Sequence, residues 1–96
     1  MNYHDSRWKR KRARILRRDG YMCRECKRYG KTTGADTIHH IYPVESYSSL
    51  TYVDINLLSL CGKCHNGMHN RDDDTLTAKG LEWCERVSPH LEGMKI

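Results

Sequence analysis

Ten residues of this sequence, CGKCHNGMHN at positions 61–70, include two cysteines, two histidines and two asparagines. Thiol and imidazole groups at such spacings bind metal ions in structural sites, and the same groups also serve in catalysis. The stretch therefore predicts half of a zinc site, one end of an active site, or both. Its partners elsewhere in the chain must decide between these interpretations.

A second C-x-x-C pair supplies partners for the cysteines. Cys23 and Cys26 form one pair, Cys61 and Cys64 form the other, and two intervening residues let both thiolates of a pair reach one tetrahedral ion. No apolar run is long enough for a signal peptide or a membrane span, so we expect a reducing, cytoplasmic setting. The pairs predict a closed structural zinc site in preference to free thiols or a redox pair.

The histidines remain to be explained. His65 and His69 are four residues apart, so on a helix they share a face and can approach one divalent ion, although a solvated surface pair fits the spacing equally well. The adjacent His39 and His40 favour the metal site. Neighbouring residues on a strand point to opposite sides, and a doublet there is an odd choice for packing alone.

The N-terminal segment predicts a basic helix over residues 6–19, which lack Gly and Pro. Asp5 or Ser6 can cap its start, and Gly20 can end it in a left-handed turn. A narrow apolar stripe is expected from Trp8, Ala13, Ile15 and Leu16.

The chain has a net charge of +5, and residues 7–18 contain eight of its 17 Lys and Arg. This density favours a polyanionic partner, although charge alone does not separate nucleic acid from an anionic membrane surface. The residues predicted to contact the phosphates of such a partner, DNA being one candidate, are Arg7, Lys9, Arg10, Lys11, Arg12, Arg14, Arg17, Arg18 and Arg71. Three tyrosines fit either contacts with sugars and nucleobases or packing: Tyr42, Tyr47 and Tyr52.

The rest of the chain predicts short elements. We expect a strand in TIHHIYPV that Pro43 stops, irregular chain over 44–55, and a second strand in NLLSL that leads into Cys61. Little regular structure is expected around the first C-x-x-C pair. A helix should open after Cys61.

The C-terminal segment predicts a helix over about 76–87. Asp74 or Thr75 can cap it, and Ser88 followed by Pro89 can end it. Cys84 on this helix is expected to be a small buried apolar residue, not a ligand.

The pattern IHHI…P…D-I-N-L…L-C-x-x-C-H-N-x-x-H resembles the HNH motif of the ββα-metal, or His-Me finger, endonucleases. The lead-in W…R…L-x-R-D-G-x-C-x-x-C is also similar, and the match runs from Arg7 to His69. The resemblance implies an α+β fold in one domain over 1–96, with a ββα-metal core over about 37–73. To this core are added a four-cysteine zinc knuckle, a basic N-terminal helix and a C-terminal helix.

The resemblance also implies a role for each polar residue. His40 is the general base that activates water, and Asn56 pins the loop between the strands. His39 and His65 bind the catalytic ion, and His69 completes the set. The catalytic residues are thus His40, Asn56 and His65. An all-nitrogen ligand set favours Mn²⁺, Co²⁺, Ni²⁺ or Zn²⁺ over Mg²⁺, which prefers oxygen.

The activity that the resemblance implies is metal-dependent hydrolysis of DNA phosphodiester bonds. A monomer is expected to nick one strand, and double-strand cleavage would need a dimer, a second binding event or a partner, so the protein is expected to be a monomer or weak dimer. Similarity to small phage HNH proteins implies a role in DNA packaging in the host cytoplasm, with restriction-like or homing roles as alternatives. The partner there is the terminase large subunit or another packaging protein, and no membrane is involved. A non-catalytic four-cysteine zinc module that binds DNA explains the cysteines and the charge but not the histidines. A membrane-surface helix explains only residues 7–18.

Overall fold

The computed structural model describes residues 1–91, and the last five residues of the predicted domain, 92–96, lie outside them. No helix in the described part is long and apolar enough to cross a membrane. The α-helices and strands are α1 (Ser6–Arg18), α2 (Arg24–Arg28), β1 (Thr37–His40), β2 (Leu57–Leu60), α3 (Gly62–Asn66) and α4 (Ala78–Val87). Short 3-10 turns occupy Ser48–Leu50, Asp54–Asn56 and Ser88–Leu91.

Helix α1 begins and ends as its sequence predicts. The Asp5 carboxylate accepts a hydrogen bond of 2.8 Å from the Trp8 N–H, and Gly20 turns the chain with a φ of 63°. Trp8, Ile15 and Leu16 are buried. The fourth residue of the predicted stripe, Ala13, is exposed, so the buried face is narrower than expected.

The two predicted strands form and pair antiparallel. Thr37 lies opposite Leu60, and His40 lies opposite Leu57. Each face of this ribbon is covered by a separate apolar cluster, and this burial stabilises a two-stranded sheet that would be marginal alone. The cluster on the α1 side contains Trp8, Ile15, Leu16, Ile38 and Leu57. The cluster on the other side includes Cys23, Ile41, Leu50, Leu58, Leu60, Met68, Trp83, Cys84, Val87 and Leu91.

Three elements differ from expectation. Helix α2 follows Cys23 directly, in a region predicted to have little regular structure, because the Cys23 side chain caps it by accepting from the Cys26 N–H. Helix α3 has only five residues. Gly67 caps its C-terminus, and the Gly67 N–H donates hydrogen bonds to the carbonyls of Lys63 and Cys64.

Helix α4 begins at Ala78, two residues later than predicted. The cap is Thr77, not Asp74 or Thr75, because the Thr77 hydroxyl accepts from the Gly80 N–H and donates to the Gly67 carbonyl. Leu76 is held in a β-bridge with His69 and is not helical. The helix ends at Val87, as predicted, and Ser88 is its C-terminal cap.

A buried carboxylate joins the end of α1 to β2. Asp19 accepts hydrogen bonds from the Arg18 guanidinium at 2.8 and 2.9 Å and from the Ser59 N–H at 3.2 Å. Arg18 also donates to the Leu57 carbonyl at 2.7 Å. Burial of Asp19 alone would raise its pKa, but the bonds from Arg18 and Ser59 outweigh burial and lower the pKa.

We expect Asp19→Asn to lower the free energy of unfolding at neutral pH by about 1–3 kcal/mol, since it removes a charged acceptor inside the fold. The folded protein holds the Asp19 pKa below its unfolded value, so this stabilisation is present above about pH 4 and is lost as pH falls through the folded pKa.

The measurement is urea unfolding of wild type and variant from pH 7 down to pH 3. The difference between the two should shrink toward acid. Asp72→Asn, which changes an exposed carboxylate, is the matched control and should leave stability unchanged at every pH. A constant difference across this range would contradict the assignment.

Candidate active site

The four cysteines of the two C-x-x-C pairs come together, with all their sulfur atoms within 4.8 Å of one another. Cys26 Sγ lies 4.0 Å from Cys61 Sγ and 3.7 Å from Cys64 Sγ, and none of the four forms a disulfide. Tetrahedral ligation with Zn–S bonds of about 2.3 Å separates sulfur atoms by about 3.8 Å. The arrangement therefore fits a closed zinc site.

The cysteines lie at the starts of two short helices, and burial changes the pKa of their thiols. Cys23 and Cys61 each stand immediately before a short helix, α2 or α3. Burial raises the pKa of Cys23 and of Cys64, and the neighbouring sulfur atoms raise that of Cys64 further. Negative charge on Cys23 and Cys64 is thus costly unless a cation offsets it, whereas a hydrogen bond with Thr33 lowers the pKa of Cys26. Cys84 lies apart, buried and donating to the Ile41 carbonyl at 3.3 Å.

Three histidines form a second cluster next to the first. The ring nitrogens of His39, His65 and His69 lie within 4.8 Å of one another. His39 Nε2 and His69 Nδ1 are buried and have no hydrogen-bond partner among the described residues. A buried nitrogen without a partner costs about 1–3 kcal/mol, and a divalent cation would remove that cost. These residues fit a metal ion.

The surroundings of His39 and His65 favour the neutral imidazole, which is the form that binds metal. Burial lowers the pKa of His39 to about 3, and repulsion from His65 and His69 adds to this effect. Burial, then His69, also lowers the pKa of His65, against the opposing charge of Asp36. His39 and His65 are therefore neutral at physiological pH.

His69 reaches the cluster by a route that differs from the predicted one. Because α3 ends at Asn66, His69 does not share a helical face with His65. A bridge to Leu76 and the bond from the Thr77 N–H to the Met68 carbonyl, at 2.9 Å, place His69 instead. Its Nδ1 also lies 3.8 Å from an oxygen of Asp74, a residue expected only as a helix cap.

His40 points to the other side of β1, away from the three clustered rings. Its Nε2 lies 3.1 Å from the Thr51 carbonyl oxygen. A carbonyl only accepts, so Nε2 carries the proton and Nδ1 is left free as an acceptor. The ring stacks on the Trp8 indole at 5.1 Å with an angle of 24°. Burial lowers the pKa of His40, although Thr51 and Glu45 oppose the shift.

Asn56 is fully buried and ties down the loop between the strands. Its side-chain oxygen accepts from the Tyr42 N–H at 2.8 Å, and its amide group donates to the carbonyls of Tyr42 at 3.2 Å and Leu50 at 3.3 Å. Leu50 precedes Thr51, the residue that holds His40. Asn56 thus acts on the His40 ring through this loop.

Residues from both faces of β1 line one open cleft of about 460 Å³. Its walls include the four histidines and several other side chains: His39, His40, His65, His69, Tyr3, Trp8, Arg12 and Glu45. The sequence patterns did not place Tyr3, Thr51 or Glu45 at the site. Packing between distant segments brings these residues to the site, and no short sequence pattern around them indicates a role there.

The predicted DNA-contacting residues divide into two groups. Some already have intramolecular partners: Lys11 and Arg14 pair with Asp54, and Arg18 pairs with Asp19. Others remain available to a ligand. Lys9, Arg10 and Arg17 are exposed, their side chains make no hydrogen bond or ion pair to any residue of 1–91, and Arg71 is exposed beside His65 and His69.

Arg12 and Arg7 each contact another part of the chain. Arg12 lines the catalytic cleft and donates to the Asp36 carbonyl at 2.8 Å, and Arg7 lies 3.7 Å above the Tyr52 ring. The other two tyrosines pack: the Tyr42 hydroxyl donates to the Cys84 carbonyl at 3.2 Å, and the Tyr47 ring meets Tyr42 edge-on.

The HNH endonuclease family model matches residues 23–71, just over half of the chain and all four cysteines and four site histidines. This chain belongs to the HNH endonuclease family. It is therefore a metal-dependent nuclease. The small α+β fold with its two-stranded antiparallel sheet is also the one that the sequence predicted.

A solved relative supports this membership. The crystal structure of an HNH endonuclease from the deep-sea thermophilic bacteriophage GVE2, determined with a manganese ion, is 39% identical in sequence to this HNH nuclease. The TM-score is 0.65, and the similarity covers 67% of this chain and 70% of the phage protein. No curated protein sequence matches the chain.

For the cysteine cluster we expect about one zinc ion per chain to depend on all four thiols. Cys61→Ser should release this zinc and cost several kcal/mol of stability, because binding energy at a structural zinc site is folding energy. Cys84→Ser is the matched control, since it changes a buried cysteine outside the cluster. The measurements are metal analysis and thermal unfolding.

Equal zinc content in Cys61→Ser and Cys84→Ser would contradict this assignment. To keep the histidine cluster from contributing, the analysis is repeated with His65→Ala in each protein. The cysteine-dependent zinc should persist in that background.

Proposed function

We propose that this HNH nuclease nicks one strand of DNA, with His40 as the general base and one divalent ion held by His39, His65 and His69. One observation carries the proposal. Two buried nitrogens, His39 Nε2 and His69 Nδ1, have no hydrogen-bond partner among the described residues. Their residues line the same cleft as His40, whose Nδ1 is free to accept a proton.

The three histidines fit a particular class of ion. Nitrogen ligands favour Mn²⁺, Co²⁺, Ni²⁺ or Zn²⁺ over Mg²⁺, and the similar phage endonuclease was solved with manganese. When bound, the ion supplies positive charge that neutralises the scissile phosphate and the leaving oxygen.

His40 prepares the attacking water. Its Nδ1 accepts the proton of a water molecule, while the hydrogen bond from Nε2 to Thr51 fixes the tautomer and the direction of the ring. The stacked Trp8 indole offers its π face to the imidazolium that results. In-line attack by that water would leave a 5′-phosphate and a 3′-hydroxyl.

Asn56 completes the catalytic set as a positioning residue. Its amide group holds the Leu50 carbonyl and both backbone polar groups of Tyr42, so the loop that begins after His40 and returns before β2 keeps one shape. Thr51 lies in that loop. His65 belongs to the set as an ion ligand on α3.

DNA would be bound mainly by the basic residues that form no ion pair with a carboxylate among residues 1–91, in contrast to Lys11, Arg14 and Arg18. Lys9, Arg10, Arg12, Arg17 and Arg71 are the main candidates, followed by Arg7. Lys11, Arg14 and Arg18 should contribute less, because phosphate contacts would compete with Asp54 and Asp19. The cysteine cluster would hold a structural Zn²⁺ that ties α2 to α3.

A single site cuts a single strand, so a monomer would nick, and a weak dimer or a partner would be needed for double-strand cleavage. We also propose a packaging role with the terminase large subunit or another packaging protein in the host cytoplasm. The support for this role is that the similar endonuclease comes from a bacteriophage.

The nuclease proposal is tested with supercoiled plasmid and Mn²⁺. Wild type should convert the plasmid to the nicked form, and His40→Ala should lower the rate about 10²- to 10⁴-fold, because the general base is lost. His90→Ala, which changes an exposed histidine outside the cleft, should behave as wild type. Circular dichroism and zinc content confirm that each variant is folded.

Equal nicking by wild type and His40→Ala would refute the assignment. Tight DNA binding with no Mn²⁺-dependent nicking would favour the non-catalytic zinc module instead. His39→Ala and His65→Ala should abolish Mn²⁺ binding measured by electron paramagnetic resonance, whereas His40→Ala should retain it.

A further inference from the structure

A second cleft, of about 470 Å³, opens beside the catalytic one. The two clefts share Tyr3, Val44 and Glu45 in their walls. Thr51, whose carbonyl holds His40, also lines the second cleft. A nucleotide with its phosphate in the catalytic cleft is therefore close enough to place an adjoining group in the second.

The wall of the second cleft is aromatic. The Tyr3 ring is 51% exposed and is supported edge-on by Trp8 at 5.6 Å. Across the cleft, Tyr52 is covered on one face by the Arg7 guanidinium at 3.7 Å. Exposed aromatic rings beside a cationic group are the usual platform for nucleobase stacking in single-stranded DNA.

The wall of the second cleft also contains a carboxylate, that of Glu45. Among the described residues, Glu45 is the one charged side chain lining the second cleft, in a chain whose net charge is +5. A carboxylate repels phosphate but accepts hydrogen bonds from amino groups, as Glu and Asp do from cytosine N4. The cleft thus suits a neutral ring that carries an amino donor.

We propose that the second cleft is a subsite for an unpaired nucleobase next to the scissile phosphate, with Tyr3 as stacking surface and Glu45 as acceptor for an amino group. This inference rests on the proposed nuclease function, since it takes the scissile phosphate to lie in the catalytic cleft. Bases inside a duplex are stacked and paired, so a base could enter only after the free-energy cost of unstacking and unpairing it, a cost that an unpaired base avoids. The preferred substrate is therefore DNA with an unpaired nucleotide at the cut.

The stacking contact is tested with a single-stranded oligonucleotide containing 2-aminopurine, a nucleobase whose fluorescence changes on stacking. The zinc-loaded full chain is used in a His65→Ala background to prevent cleavage. Tyr3→Ala should weaken binding about five- to a hundredfold and remove the fluorescence change, whereas Tyr3→Phe should retain both. Tyr29→Ala, at a tyrosine that is 62% exposed outside both clefts, is the control.

Equal affinity and signal for Tyr3→Ala and Tyr29→Ala would overturn the proposal. So would an equal fluorescence change with fully paired duplex DNA of the same sequence.

The acceptor is tested with oligo-dC and oligo-dT, which compare two pyrimidines of similar size. Wild type should bind oligo-dC more tightly, and Glu45→Gln should reduce the difference, because its amide group can also donate to thymine O4. An unchanged preference in Glu45→Gln would contradict the role of Glu45.

These results separate the two hypotheses. Tyr3-dependent binding of single strands without plasmid nicking would refute the nuclease mechanism but keep the subsite. Mn²⁺-dependent nicking together with Tyr3-independent binding would refute the subsite alone.

Discussion

In the antiparallel pair of β1 and β2, His39 lies opposite Leu58 and His40 opposite Leu57. Side chains alternate across a strand, so these neighbours face different apolar clusters. His39 turns toward α3 and the other two histidines, and His40 turns toward Trp8 on α1. A shift of one residue in register would exchange them, which is why burial on both faces of so short a sheet matters to the chemistry.

Cys64 and His65 are also adjacent in sequence but belong to different clusters. Cys64 belongs to the sulfur cluster and His65 to the nitrogen cluster, and both stand on the five residues of α3. A helix that short is not stable alone. Its position depends on the cysteines, so loss of zinc from the proposed site would displace His65 and damage catalysis through the scaffold.

Local patterns were enough to predict much of this site. The C-x-x-C pairs, the cap at Asp5 and the strand of His39 are encoded within a few residues. His69 does join the other two rings, but the helical argument for it was wrong, because Gly67 ends α3 and a bridge to Leu76 replaces the helix. Tyr3, Thr51 and Glu45 were missed since packing between distant segments places them. The pairing of Lys11 and Arg14 with Asp54 depends on the same packing.

Cys64 and His65, although adjacent, are proposed to bind two different ions, and anomalous diffraction can locate each ion by its element. Crystals grown with Mn²⁺ would be measured at the zinc and manganese edges. We expect a zinc peak among Cys23, Cys26, Cys61 and Cys64, and a separate manganese peak among His39, His65 and His69, with His40 bound to neither. A single ion shared by Cys64 and His65, or an ion ligated by His40, would contradict this claim.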